Sequence, residues 1–128
     1  MVANVYGISA ACPATPALFW HSWLVIGSSD RIHFISLTEK QEQACFFTGW
    51  FNGFYPDGED LFVCSLDGIS CFDSTLQKRW EHPDLGLDGV EITSITEDNL
   101  VCSAWQPDDQ WYPFTLSRTT GRLLNSSR

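Results

Sequence analysis

Three histidines (His21, His33, His82) and five cysteines (Cys12, Cys45, Cys64, Cys71, Cys102) are the side chains of this sequence suited to act as bases, nucleophiles or soft metal ligands. A cysteine–histidine nucleophile needs a thiol with a base in reach, and zinc needs nitrogen and sulfur ligands converging on one point. Neither has a local signature. The chain has no C-x-x-C pair and no H-E-x-x-H, and Cys64 and Cys71 are separated by six residues. The acidic runs "DGED" and "PDLGLDG" lack the alternating D-x-D-x-D-G oxygens of a calcium loop. There is no G-x-S-x-G elbow, no phosphate-cradling glycine loop and no dinucleotide fingerprint. The reading at this level is no catalytic residue, no metal site and no cofactor.

Two segments instead combine large aromatic rings with carboxylates, the composition of protein-binding hot spots and their rims. "WQPDDQWYPF" carries Trp105, Asp108, Asp109 and Trp111, with prolines that stiffen the backbone and lower the entropy lost on binding. "GWFNGFYPDGED" carries Trp50, Phe54, Tyr55, Asp57 and Glu59, with Phe51 and Asp60 beside them. It reads as an acidic, aromatic lip for a basic partner. Each segment also has a plain structural reading. The first is a hairpin tip whose rings pack back on a sheet, and Pro56-Asp57-Gly58 in the second is a β-turn.

The elements that position these segments repeat along the chain. "LVIGS" (Leu24 to Ser28), "LFVCS" (Leu61 to Ser65) and "NLVCS" (Asn99 to Ser103) align Ile26, Val63 and Val101 at intervals of 37 and 38 residues. This register puts Cys64 and Cys102 in one slot as small buried positions. After each match comes a turn, a second strand (Arg31 to Leu37, Ile69 to Asp73, Trp111 to Ser117) and a polar turn. Ile32 and Phe34 alternate with His33, Ile35 and Leu37, so both faces of that strand are apolar and it is expected to be covered on both sides. No helical stripe is present. "VANVYGIS" (residues 2–9) is read as an edge strand, and "LGLDGV" as a tight turn into the strand at Val90.

The unit "LFVCSLDGISCFDSTLQKRW", with its Asp67-Gly68 turn, Phe72-Asp73 strand end and closing Trp80, resembles a blade of a quinoprotein-type β-propeller. The match is best over this copy. The chain also resembles small bacterial proteins with the "LGLDGV" element (Leu85 to Val90), then a Trp-Pro-Trp segment and a terminal "TGR", a resemblance that implies no activity. Quinoprotein cofactor sites lie in the funnel of a closed ring. Three repeats do not close a ring that takes four or more blades, and the matched residues include no ligand set, so no cofactor site carries over.

The length fits one domain, residues 1–128, with repeat cores at about 24–46, 61–82 and 99–124. The expected fold is all-β: three antiparallel blade-like repeats in one compact domain, arranged as a sandwich, a barrel-like sheet or a partial propeller. Six Trp and nine Phe supply the bulk to fill its core. A net charge of −9 argues against nucleic-acid phosphates and anionic membrane surfaces as partners, and for steering of a basic protein. Odd, irregularly spaced cysteines fit a reducing compartment, and Pro13 and Pro16 interrupt the early apolar stretch, so a soluble cytoplasmic protein is expected. The functional reading is a non-enzymatic protein-binding module, in a specific form an acidic immunity-type inhibitor of a basic toxin or nuclease. The alternatives are a carbohydrate-binding protein, whose tryptophans stack on sugar faces, and a partial propeller that associates with itself.

Overall fold

Short apolar runs between Gly, Asp, Asn and Ser turns form strands, and the computed structural model describes them over residues 17–47, 50–86 and 89–126. The first sheet contains β1 (Ala17–Trp20), β2 (Trp23–Ser28), β3 (Arg31–Ser36) and β4 (Glu42–Phe47). The middle sheet contains β5 (Phe51–Asp57), β6 (Asp60–Ser65), β7 (Ile69–Asp73) and β8 (Lys78–His82). The third contains β9 (Val90–Ile95), β10 (Asn99–Gln106), β11 (Gln110–Ser117) and β12 (Leu123–Ser126). Each is a four-stranded antiparallel meander in chain order. The proposed edge strand at residues 2–9 and part of "LGLDGV" lie outside the described residues. Among the described residues there is no helix long and apolar enough to cross a membrane.

The sheets stack face to face, as propeller blades do, rather than closing into a sandwich or barrel. Alternation along β6 decides the stack. Leu61 and Val63 join Val25, Ile32, Phe34 and Phe72 in a core between the first and middle sheets. Phe62 and Cys64 point the other way and join Cys71, Trp80, Leu100, Cys102, Phe114 and Leu116 in a core between the middle and third sheets. The first strand of the middle sheet makes the closest approach to both neighbours: β5 touches β2 on one side and β9 on the other. Asn52, the extra residue where the β5–β6 register shifts, donates its amide Nδ2 to Val90 O on β9 at 2.8 Å.

The repeat is real, but one of its intervals changes. The turns opening the second strands are His21-Ser22, Gly58-Glu59 and Glu97-Asp98, spaced 37 and then 39 residues apart. Equivalent positions are therefore Leu24, Leu61 and Leu100, all buried, and Val63 corresponds to Cys102, not Val101. A slip of one residue reverses every side chain. Cys64 and Cys102 consequently do not share a slot: they belong to facing sheets and enter the same core from opposite sides. Val101 is half-buried on the outer face of the third sheet.

The third-to-fourth strand connections also repeat. Ser36, Asp73 and Ser117 each use a side-chain oxygen to accept a backbone N–H of the following turn. Each fourth strand then carries a register shift, at Phe34/Ile35, Cys71/Phe72 and Thr115/Leu116. Polar side chains tie one sheet to the next through backbone carbonyls. Trp20 Nε1 donates to Gly58 O, Trp23 Nε1 to Ser74 O and Trp80 Nε1 to Arg118 O, at 3.1, 3.0 and 2.9 Å. Trp80 presses on Gly121, whose φ of 73° suits glycine and whose missing Cβ leaves room for the indole.

The corrected register yields a test. Val63→Asp places a carboxylate in a closed core and is expected to cost at least about 3 kcal/mol, whereas Val101→Asp on the outer face costs about 1 kcal/mol or less. Urea denaturation of the two variants measures the difference, and equal losses would restore the 38-residue register. A second test uses Asp73. Partial burial raises its pKa, but hydrogen bonds from Thr75 and Gln77 and the Arg79 charge outweigh this and hold it below the ordinary 3.8. Its stabilisation is present above that value and is lost as pH falls through the lowered one. Asp73→Asn should be less stable than wild type at neutral pH, with the gap closing in melts as pH falls below 3.8.

Candidate functional site

Strand direction gives the stack two chemically different ends. The turns at Ser29-Asp30, Leu66-Asp67 and Pro107 to Asp109 lie at one end, together with the linkers that follow β4 and β8. The remaining strand turns lie at the other. Backbone bonds weave the linker end together: Leu66 N to Trp50 O, Gly89 N to Leu66 O and Trp105 N to Gly89 O, at 2.8, 2.8 and 2.9 Å.

The two aromatic–acidic segments meet this geometry differently. In the third sheet, Trp105 and Trp111 are direct cross-strand partners at the tip of the β10–β11 hairpin, on the outer face. Trp111 is 46% exposed and Trp105 is half-buried. The carboxylates between them build the tip. Asp109, at a φ of 63°, accepts from Trp105 Nε1 at 3.1 Å. Asp108 accepts from Gln110 N at 3.2 Å and from the Tyr112 hydroxyl. Gly89 lies under the Trp111 ring, where a Cβ would approach it to 3.1 Å. The pair is thus held by its own loop.

The second segment does not assemble as one lip. β5 runs the height of the stack, so Trp50 at one end and Asp57 at the other are roughly 20 Å apart. Phe54 and Tyr55 are consecutive strand residues and point to opposite faces. Phe54 packs in the first core beside Phe51, with ring centroids 4.6 Å apart, and Tyr55 packs in the second. Burial raises the Tyr55 pKa, aided by the nearby Cys64. Asp57 and Asp60 are held by Arg118, which reaches them at 2.6 and 3.1 Å. Glu59 accepts from Ser74 Oγ at 2.7 Å and lies 3.5 Å from His21 Nε2. Only Trp50, 61% exposed, stands at the linker end with the Trp105–Trp111 pair.

Charge divides the same way. Asp30, Asp67, Asp84, Asp108 and Asp109 lie at the linker end, where Arg31 is the sole cation among the described residues. Beside the hairpin is a cleft of about 190 Å³, lined by His82, Asp84, Leu85, Gln106, Tyr112 and Leu123 among others. That is smaller than ordinary small-molecule sites and suits a single side chain.

One constellation escaped the sequence reading. His33, Glu42 and Cys45 bring their ligand atoms within 4.8 Å of one another on the outer face of the first sheet. The signal was the spacing H-x8-E-x2-C, but in a regular strand residues three apart face opposite ways. Only a bulge makes the group legible.

No known family model matches the sequence, and no curated protein is similar to it by sequence. Solved structures are similar in fold. The Neurospora crassa Pan2 WD40 domain superposes with a TM-score of 0.65 at 12% identity, over 90% of this chain and 39% of that one. The β-propeller domain of Myceliophteria thermophila Cps50 (Swd1) gives 0.61 at 14% identity, over 97% and 44%. The chain thus spans about two-fifths of these propeller domains. The likeness is one of fold. It supports the blade architecture, not the quinoprotein or bacterial particulars of the sequence resemblance.

The thiols provide a check on this geometry. Burial pushes Cys71 and Cys102 up to about 12 and Cys64 well above its ordinary value, whereas Cys45 is exposed. Because the thiolate is the reactive form, iodoacetamide should label Cys45 in the folded protein and reach Cys64, Cys71 and Cys102 only after denaturation. Peptide mapping by mass spectrometry measures this, and native labelling of Cys64 would contradict the packing.

Proposed function

We propose that the chain is a protein-interaction module whose linker end receives a basic partner. The observation that carries this is the coincidence at one end of three partly exposed tryptophans with an excess of carboxylates. Trp105 and Trp111 act as the anchor, pre-set by Asp108 and Asp109, and Trp50 as a second contact. The cleft at His82, Asp84 and Gln106 accepts one side chain of the partner, with Asp84 favouring a lysine or arginine. The net charge of −9 steers the encounter and disfavours nucleic acid and anionic membranes. Asp57 and Glu59, bonded within the fold to Arg118 and Ser74, lie at the opposite end from these rings and are left out of this surface.

A more specific form of the proposal is an immunity-type inhibitor in the cytoplasm that occludes the active site of a basic toxin or nuclease. Acidity, small size and a rigid aromatic tip support it. Sugar stacking on the same rings is the competing use of the surface, and it differs in being insensitive to salt.

The test is affinity capture from native lysate at low and high salt, with wild type and a Trp105→Ala/Trp111→Ala variant. A basic, near-stoichiometric partner lost at high salt is expected. Its affinity should fall at least about 30-fold in the double variant, the scale of a hot spot near 2 kcal/mol. Thermal unfolding should stay cooperative. Undiminished binding by the folded double variant would overturn the assignment. Capture of the chain itself alone would favour self-association.

A further inference from the structure

We propose that His33, Glu42 and Cys45 form a three-ligand zinc site on the outer face of the first sheet, with a fourth position open to water or to a partner's side chain. His33 and Cys45 are antiparallel partners on β3 and β4, so their side chains share one face. Glu42 is three residues before Cys45 and would face away from it in a regular strand. The register shift at Phe34/Ile35 adds Gln43 as an extra residue and pairs Glu42 with Ile35, returning its carboxylate to the face of Cys45.

The same arrangement recurs where it can be checked by its own chemistry. In the middle sheet the equivalent shift at Cys71/Phe72 brings Lys78 and Glu81, also three apart, into an ion pair at 2.9 Å. In the third sheet the equivalent positions are Leu123 and Ser126, which offer no such chemistry. The bulge is a feature of the blade, and the first sheet has placed metal-ligating residues on it.

Imidazole nitrogen, thiolate sulfur and carboxylate oxygen form a borderline donor set that suits zinc and excludes magnesium or calcium as a natural occupant. His33 Nδ1 already lies 2.7 Å from Glu42 Oε1. An ion inserted between these two groups, with the Cys45 thiol turned onto it, keeps the strand ladder unchanged. Thiolate and carboxylate together balance the 2+ charge. Cys45 is exposed and half the Glu42 side chain is accessible, so the ion has a path in.

Cobalt(II) is the direct probe, because a bound thiolate gives a near-ultraviolet sulfur-to-cobalt charge-transfer band. Titration of the purified chain should give this band at one equivalent, and zinc should displace it. Cys45→Ser should abolish the band and His33→Ala should weaken binding at least tenfold, with circular dichroism and thermal unfolding of the metal-free variants unchanged. Zinc should also protect Cys45 of the wild type from alkylation. Absence of the charge-transfer band, or its persistence in Cys45→Ser, would overturn the site. This experiment is independent of partner capture, so either proposal can fail alone.

Discussion

The two central strands of the middle sheet, β6 and β7, have no face for water, and the rest of the structure follows from that. Leu61, Phe62, Val63 and Cys64 are consecutive and all buried, which a strand achieves only when both its faces are covered. The first and third sheets exist in their positions because β6 and β7 need both covers. The polar ties obey the same constraint. Indole N–H groups of Trp20, Trp23 and Trp80 span the interfaces to backbone carbonyls of the neighbouring sheet, so the rings add apolar area without burying an unpaired donor. Among the described residues no buried side-chain nitrogen or oxygen lacks a partner. Gly27 and Gly121 sit where Phe51 and Trp80 press closest.

Much of this was legible in the sequence. Ile32 and Phe34 do alternate with His33 and Ile35, and β7 runs from Ile69 to Asp73 as expected. Turn residues and period-2 patterning are local signals, and they located the strands. What failed was phase. Aligning Val63 with Val101 rewarded identical letters in "VCS", but faces are set by the turns, and the interval from the second unit's turn to the third's is two residues longer than that from the first to the second. Ile26, Val63 and Cys102 are the true equivalents, a match that letter similarity does not favour.

The candidate site shows the same limit. The Trp105–Trp111 pairing was implicit in a hairpin reading of "WQPDDQW", because residues flanking a tight tip pair across it. The supposed lip from Trp50 to Glu59 was close in sequence and far apart in space, because a strand separates its ends. Phe54 and Tyr55 were consumed by two different cores, and Asp57 by Arg118, which is 61 residues away. Long-range neutralisation of this kind has no local signature. The linker end keeps its excess of carboxylates, five aspartates against Arg31 among the described residues, beside the exposed rings. The His33, Glu42 and Cys45 group was missed for a related reason: a bulge changes which residues share a face, and bulges are set by the ladder rather than by the strand alone.

Native-state hydrogen exchange, residue by residue, tests the dependence on the middle sheet most directly. Amides of β6 and β7 should exchange only through global unfolding, with protection equal to the stability measured in denaturant, while β1 and β12 open at lower free energy. If the middle sheet exchanged faster than either flanking sheet, the stack would not be held from its centre, and the dependence of fold and site on that doubly covered sheet would be contradicted.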